Sequence, residues 1–145
     1  MDKRSFLLKY VAIIYRASQG YIDEALKKYN LSFGTYPFIL VLYNNEGISQ
    51  NILSEYVKVD KSFSARAIKK LIEIGYVQKI VNNEDSRAYK LYLTDNAKAI
   101  VPGILNELDG WLNMITDGLE ETEKKNAECL LENMYKNVEQ FNTKY

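Results

Sequence analysis

Histidine is absent from the 145-residue chain and cysteine occurs once, at Cys129. That inventory excludes a zinc site, a disulfide framework, a Ser-His-Asp triad and a Cys-His pair. Only two prolines and seven glycines occur, so long structured segments are expected and Pro/Gly-rich linkers are not. The longest apolar run, Tyr36 to Tyr43, covers eight residues, against the roughly 20 that a bilayer-spanning helix needs. At the N-terminus, Met1-Asp2-Lys3-Arg4 precedes a short apolar stretch that Lys9 interrupts, with no cleavage-like site after it. No signal peptide is expected, and the reading is a soluble, cytoplasmic protein with no membrane partner. No carboxylate pair, glycine-rich phosphate loop or metal constellation stands out, so neither an enzyme nor a metal or cofactor site is expected.

What is present suits a single folded domain spanning residues 1–145. Hydrophobic residues make up 47% and charged residues 26%, enough apolar surface for a core. The 19 basic groups equal the 19 acidic ones, which excludes a polybasic tail protein. The balance is uneven along the chain. From Lys58 to Lys90 eight basic groups face four acidic, a net of +4, whereas from Asp95 to Tyr145 five face ten, a net of −5. A basic middle points to a polyanion partner for that stretch, or to an ordinary solvated helix face.

The local pattern separates these two. Leu7, Val11, Ile14, Ser18, Tyr21 and Ala25 fall at helical spacing within a helix expected over about Lys3–Lys28, widened by Phe6, Tyr10, Ile13 and Ala17. A second helix runs to about Asn44 with Pro37 in its first turn, where a missing N–H does least harm. Ser49 is placed to cap a third, Gln50–Tyr56, and Asp60 a fourth that runs to Ile74 and ends at Gly75. A short helix joined by a few residues to a longer basic one is the layout of a helix-turn-helix. Tyr76–Val81 and Tyr89–Leu93 read as the strands of a hairpin around a polar turn. Thr94 caps a fifth helix to about Thr116, with its apolar stripe at Ile104, Leu108, Trp111 and Ile115 and a kink expected at Pro102-Gly103. A sixth, Glu120 to Phe141, carries a packing seam of Ala127, Leu131, Met134, Val138 and Phe141. The expected fold is therefore mainly α: a winged helix-turn-helix over 31–94 with a small β-hairpin wing, flanked by long N- and C-terminal dimerisation helices over 1–30 and 95–145. A core of that size is near the lower limit of independent stability. Burying the wide apolar faces of the outer helices favours a twofold homodimer over a monomeric bundle.

Projecting the fourth helix at about 100° per residue gathers Ser64, Ala67, Ile68, Leu71 and Ile72 on a core side. Ser62, Phe63, Arg66, Lys69 and Lys70 gather opposite, near the helix N-terminus that meets base edges in a recognition helix, with Lys61 at its start. Arg66 can pair with guanine O6 and N7, Ser62 can donate to a base or phosphate, and Lys69 and Lys70 suit phosphates. Phe63 meets a thymine methyl or folds back onto the protein. On the wing, Arg87 follows Asp85 by two residues, so the carboxylate can orient the guanidinium for a narrow minor groove. The candidate DNA-contacting residues are thus Lys61, Ser62, Phe63, Arg66, Lys69, Lys70 and Arg87, with Asp85 as support for the wing.

From Leu31 to about Phe141 the sequence resembles the MarR family of transcriptional regulators. The resemblance rests on Ser49-Gln50-Asn51-Ile52-Leu53-Ser54, on Asp60-Lys61-Ser62-Phe63-Ser64-Ala65-Arg66, and on Lys70-Leu71-Ile72-Glu73-Ile74-Gly75-Tyr76-Val77. It continues in Asp85-Ser86-Arg87-Ala88, Leu93-Thr94 and Gly118-Leu119-Glu120-Glu121-Thr122-Glu123, while residues 1–30 match by helix type only. The resemblance implies a homodimer on a near-palindromic operator in double-stranded DNA, usually a repressor. It is often released by a small anionic or phenolic effector bound between the dimer helices and the DNA-binding lobe. Phe63 and Ser64 depart from the small polar and the apolar residue usual there, so the family's base preference does not carry over. Cys129 lies on the last helix rather than the first, next to Leu130 and Leu131, and is expected to be a buried, inert thiol. The twelve tyrosines are expected mostly in core and interfaces. A competing reading is a winged-helix adaptor whose Arg66, Lys69 and Lys70 meet an acidic protein partner.

Overall fold

The computed structural model describes residues 5–81, 84 and 89–144, with side chains through residue 141. Its elements are α1 (Leu7–Leu26), a 3-10 turn (Lys27–Tyr29), α2 (Tyr36–Asn44), α3 (Gln50–Val57), α4 (Lys61–Glu73), β1 (Val77–Val81), β2 (Tyr89–Leu93), α5 (Asp95–Ile115) and α6 (Glu121–Lys144). The chain divides into two compact units, Met1–Trp111 and Leu112–Tyr145. Among the described residues no helix is long and apolar enough to cross a membrane.

The helix boundaries follow from side chains that satisfy the free N–H groups of each first turn. Ser49 Oγ accepts from Ile52 N at 3.3 Å, Asp60 Oδ1 from Phe63 N at 2.7 Å and Thr94 Oγ1 from Ala97 N at 3.2 Å. At the other end of α4, Gly75 takes the left-handed conformation (φ +85°) that glycine adopts without steric cost. Tyr76 N then donates to Leu71 O and Gly75 N to Ile72 O, closing the last turn. Thr94 also donates its hydroxyl to Gly75 O at 2.6 Å, which ties the end of α4 to the start of α5. Asn30 ends the turn after α1 in the left-handed region, and Lys58 does the same between α3 and α4. α5 remains helical through Pro102.

β1 and β2 pair antiparallel from Val77↔Leu93 to Val81↔Tyr89. A third segment joins them through one residue. Gly47 N donates to Leu91 O at 2.8 Å and Leu91 N to Ile48 O at 2.9 Å. One paired residue has no alternation to read, so this third edge is invisible in the sequence.

In the first unit Phe38, Ile39, Leu42, Leu53, Leu71, Leu91 and Val101 lie within one apolar core. Ile22 and Leu26 of α1 and Ala97, Val101 and Ile104 of α5 belong to the same core, so the winged helix does not pack as 31–94 alone. Trp111 Nε1 donates to Ser18 Oγ at 2.8 Å, and its ring stacks on Tyr21 at 4.7 Å. Lys28 Nζ lies 2.5 Å from Glu107 Oε1, and this bond holds the ammonium above its ordinary value of 10.5. A cation raised in this way contributes below its ordinary pKa, and the contribution is lost as pH rises through the raised value. The N-terminal half of α1 is different. Leu7, Leu8, Tyr10, Val11, Ile13, Ile14 and Tyr15, with Phe6 just before the helix, are each 43% to 80% exposed.

In the second unit no described residue of α6 is buried. Of the expected seam, Leu131 is 55%, Val138 53% and Phe141 61% exposed. Cys129 is exposed as well, which corrects the expectation of a buried thiol: leucine neighbours bury a cysteine only when something covers their helix.

On α4, Ser64, Ala67, Ile68 and Leu71 are buried as the projection requires, but Ile72, placed on the same side, is 37% exposed. It stands about a quarter-turn from the centre of the buried stripe. Ser64 Oγ has no hydrogen-bond partner despite complete burial. An unpaired buried hydroxyl costs about 1–3 kcal/mol. Ser64→Ala is therefore expected to raise the urea midpoint, by about 1 kcal/mol of stability at unchanged slope; a lower midpoint would show that the hydroxyl finds a partner.

Candidate nucleic-acid interface

The stripe of α4 that is buried decides which side chains it shows. Three residues, Lys58–Asp60, separate α3 from α4, and Asp60 fixes the first turn of α4. Lys61, Ser62, Arg66, Lys69 and Lys70 are all exposed on it. Arg66 Nη1 donates to Ser62 Oγ at 3.0 Å, one helical turn back, which lays the guanidinium along the exposed face near the helix start.

Phe63 does not share that face. It is half-buried against the core and stacks on Phe38, with ring centroids 6.4 Å apart. Gly34 makes the seat possible: a Cβ there would stand 3.0 Å from Phe63 Cζ. Of the two roles open to Phe63 in the sequence, the structure gives the ring the inward one. The signal for it was Gly34, in a loop too irregular to align with α4 from sequence alone. Arg87 and Asp85 lie outside the described residues, as does most of the turn between β1 and β2.

Two grooves border the exposed face. One, of about 340 Å³, has Gln19 and Asp23 of α1, Gly34, and Phe63, Arg66 and Lys70 of α4 in its walls. Asp23 is held there by its carboxylate, which accepts from Phe33 N at 2.7 Å. The other, of about 440 Å³, lies between α4 and the wing and includes Gln50, Lys69, Ile72, Glu73, Lys79 and Tyr89. The basic cluster read from the sequence is thus divided, Arg66 and Lys70 opening on the first groove and Lys69 on the second. Sequence reasoning left Gln50, Lys79 and Tyr89 unassigned because they come from three other elements, α3, β1 and β2. Among the described residues no cluster of His, Cys, Asp or Glu is placed to hold a metal ion.

Residues 20–104 match a family model described as Transcriptional regulator SarA/Rot. The chain is 32% identical over 133 residues to the HTH-type transcriptional regulator YybA of Bacillus subtilis, covering 92% of this chain and 89% of that one. It superposes with a TM-score of 0.88 on a MarR protein from Peptoclostridium difficile, 34% identical, over 97% of this chain and 93% of that one. A MarR family regulator from Listeria monocytogenes, solved in complex with a 26mer DNA, shares the fold at a TM-score of 0.81 and 24% identity, over 95% and 90% of the two chains.

The seat of Phe63 makes a separable prediction. Phe63→Ala is expected to cost about 2 kcal/mol of stability, from apolar area returned to water, read as a lower urea midpoint. A ring that served only to meet bases would leave the midpoint unmoved and lower affinity alone.

Proposed function

Because the chain belongs to the SarA/Rot family of MarR-type transcriptional regulators, we propose that it binds a near-palindromic operator in double-stranded DNA as a homodimer and represses transcription until a small effector releases it. The observation that carries this reading is the face of α4. Ser62, Arg66, Lys69 and Lys70 stand exposed on the side opposite a fully buried stripe, on the second helix of a helix-turn-helix. Arg66 then reads a guanine, while Lys61, Lys69 and Lys70 hold phosphates. Arg87, oriented by Asp85, enters the minor groove beside it.

The homodimer rests on the apolar side chains that one chain leaves in water along the first half of α1 and along α6. Each forgoes roughly 1.5–3 kcal/mol relative to burial. A mate related by a twofold axis covers them and sets two recognition helices about 34–36 Å apart. The effector is assigned to the groove beside Phe63. A phenol or aromatic carboxylate there would engage Arg66 and withdraw it from DNA, and the volume suits a small ligand.

Selecting sites from random duplexes tests the whole reading. It should return two half-sites about one turn apart, and the free protein should sediment near twice 16.8 kDa; a single half-site or a monomer on DNA would overturn the dimer. Arg66→Ala should relax one base position by about 1–3 kcal/mol, and Arg87→Ala should weaken binding with the melting temperature unchanged. A panel of aromatic carboxylates should weaken duplex binding by the native chain and lose that effect in Arg66→Ala. An adaptor for an acidic protein would be indifferent to excess duplex.

A further inference from the structure

The groove between α4 and the wing holds a charge that strand alternation would have made apolar. β1 alternates Val77, Lys79, Val81 on the sheet face whose cross-strand partners are Leu93, Leu91 and Tyr89. Val77, Leu91 and Leu93 are buried on that face whereas Lys79 and Val81 are exposed, so Lys79 stands at its open edge. Its ammonium lies over the Tyr89 ring, 3.9 Å from the centroid, on the diagonal that the register creates. That ring is fixed in turn, because the Tyr89 hydroxyl donates to Gln50 Oε1 at 3.0 Å. The bond uses the acceptor end of the Gln50 amide and leaves its Nε2 hydrogens for a ligand. Lys69 of the exposed α4 face borders the same groove. Tyr89 thus connects the start of α3 to a wing lysine beside the recognition helix.

We infer that this groove seats a phosphodiester of the duplex that α4 reads: Lys79 and Lys69 pair with the phosphate, Gln50 donates to it, and Tyr89 is the positioning residue that holds Lys79 in place. The assignment rests on the DNA-binding reading above and extends its contacts to two residues outside the helix-turn-helix. Glu73 also borders the groove, leaving two cations against one carboxylate. A net charge of one suits the single, pH-independent charge of a backbone phosphodiester, whereas free phosphate is a mixture of monoanion and dianion at neutral pH. The cation–π contact restricts the lysine without neutralising it, so its charge remains available for the phosphate.

The test is a salt titration of a fluorescein-labelled random-sequence duplex followed by anisotropy, over about 50–200 mM sodium chloride. Lys79→Gln should reduce the slope of log affinity against log salt by about 0.9 for each protomer bound, equally on every duplex. Tyr89→Leu should weaken binding several-fold and Tyr89→Phe, which keeps the ring, by less. The double variant Lys79→Gln with Tyr89→Leu should bind no worse than Lys79→Gln alone. Full additivity would overturn the positioning role, and so would a lowered melting temperature that tracks the affinity loss. An unchanged slope in Lys79→Gln, with the native chain still binding, would remove this assignment and leave the DNA-binding reading intact. Native protein that binds no duplex would remove both. Replacing part of the chloride by inorganic phosphate at constant ionic strength separates the sources of the anion. No selective effect supports the backbone, whereas weakened binding in the native chain and not in Lys79→Gln would make the groove a free-anion site.

Discussion

The rotation of α4 about its own axis governs what this protein can present to a partner, and burial sets that rotation. Ser64, Ala67, Ile68 and Leu71 lie in the apolar core of the first unit, and at about 100° per residue their burial obliges Ser62, Arg66 and Lys69 to face away from it. The ends are held as firmly as the middle. Asp60 anchors the first turn, Gly75 closes the last, and Thr94 bonds to the Gly75 carbonyl from the head of α5. A helix restrained along one side and at both ends offers a rigid cationic surface, so little ordering entropy is lost when it docks.

The grooves on either side give that surface its chemical character. Towards α1, Phe63 turns inward onto Phe38 in space left by Gly34, which leaves Arg66 and Lys70 beside an aromatic wall. Towards the wing, the Lys79–Tyr89–Gln50 chain brings charge from the hairpin to the same helix. The sequence from Lys58 to Lys90, which supplies these cations, carries a net of +4 in a chain whose total is zero, so charge is unevenly distributed along it. The stretch from Asp95 to Tyr145 carries the compensating net of −5.

Apolar surface poses a separate problem. The second unit has exposed leucines, Val138 and Phe141 along α6, and the first half of α1 exposes a run of aliphatic and aromatic side chains. Soluble monomers rarely carry contiguous patches of that kind uncovered. Each of these faces would leave water on meeting a partner surface.

Much of this was legible in the residue pattern, because local chemistry is written in short range. Ser49, Asp60 and Thr94 cap helices wherever they stand before an apolar-periodic run, and Gly75 ends one because it alone accepts a left-handed backbone at no cost. The buried stripe of α4 follows from helical geometry, with Ile72 misplaced only because a residue at the stripe's edge is covered or not according to its neighbours. What tertiary structure decided was every contact between distant elements. The single-residue third strand at Ile48, the inward seat of Phe63 opposite Gly34, the exposed state of Cys129 and the tyrosine linking Gln50 to Lys79 are of this kind. None has a period or a motif, since each depends on two segments meeting in space, and sequence alone records composition along one dimension.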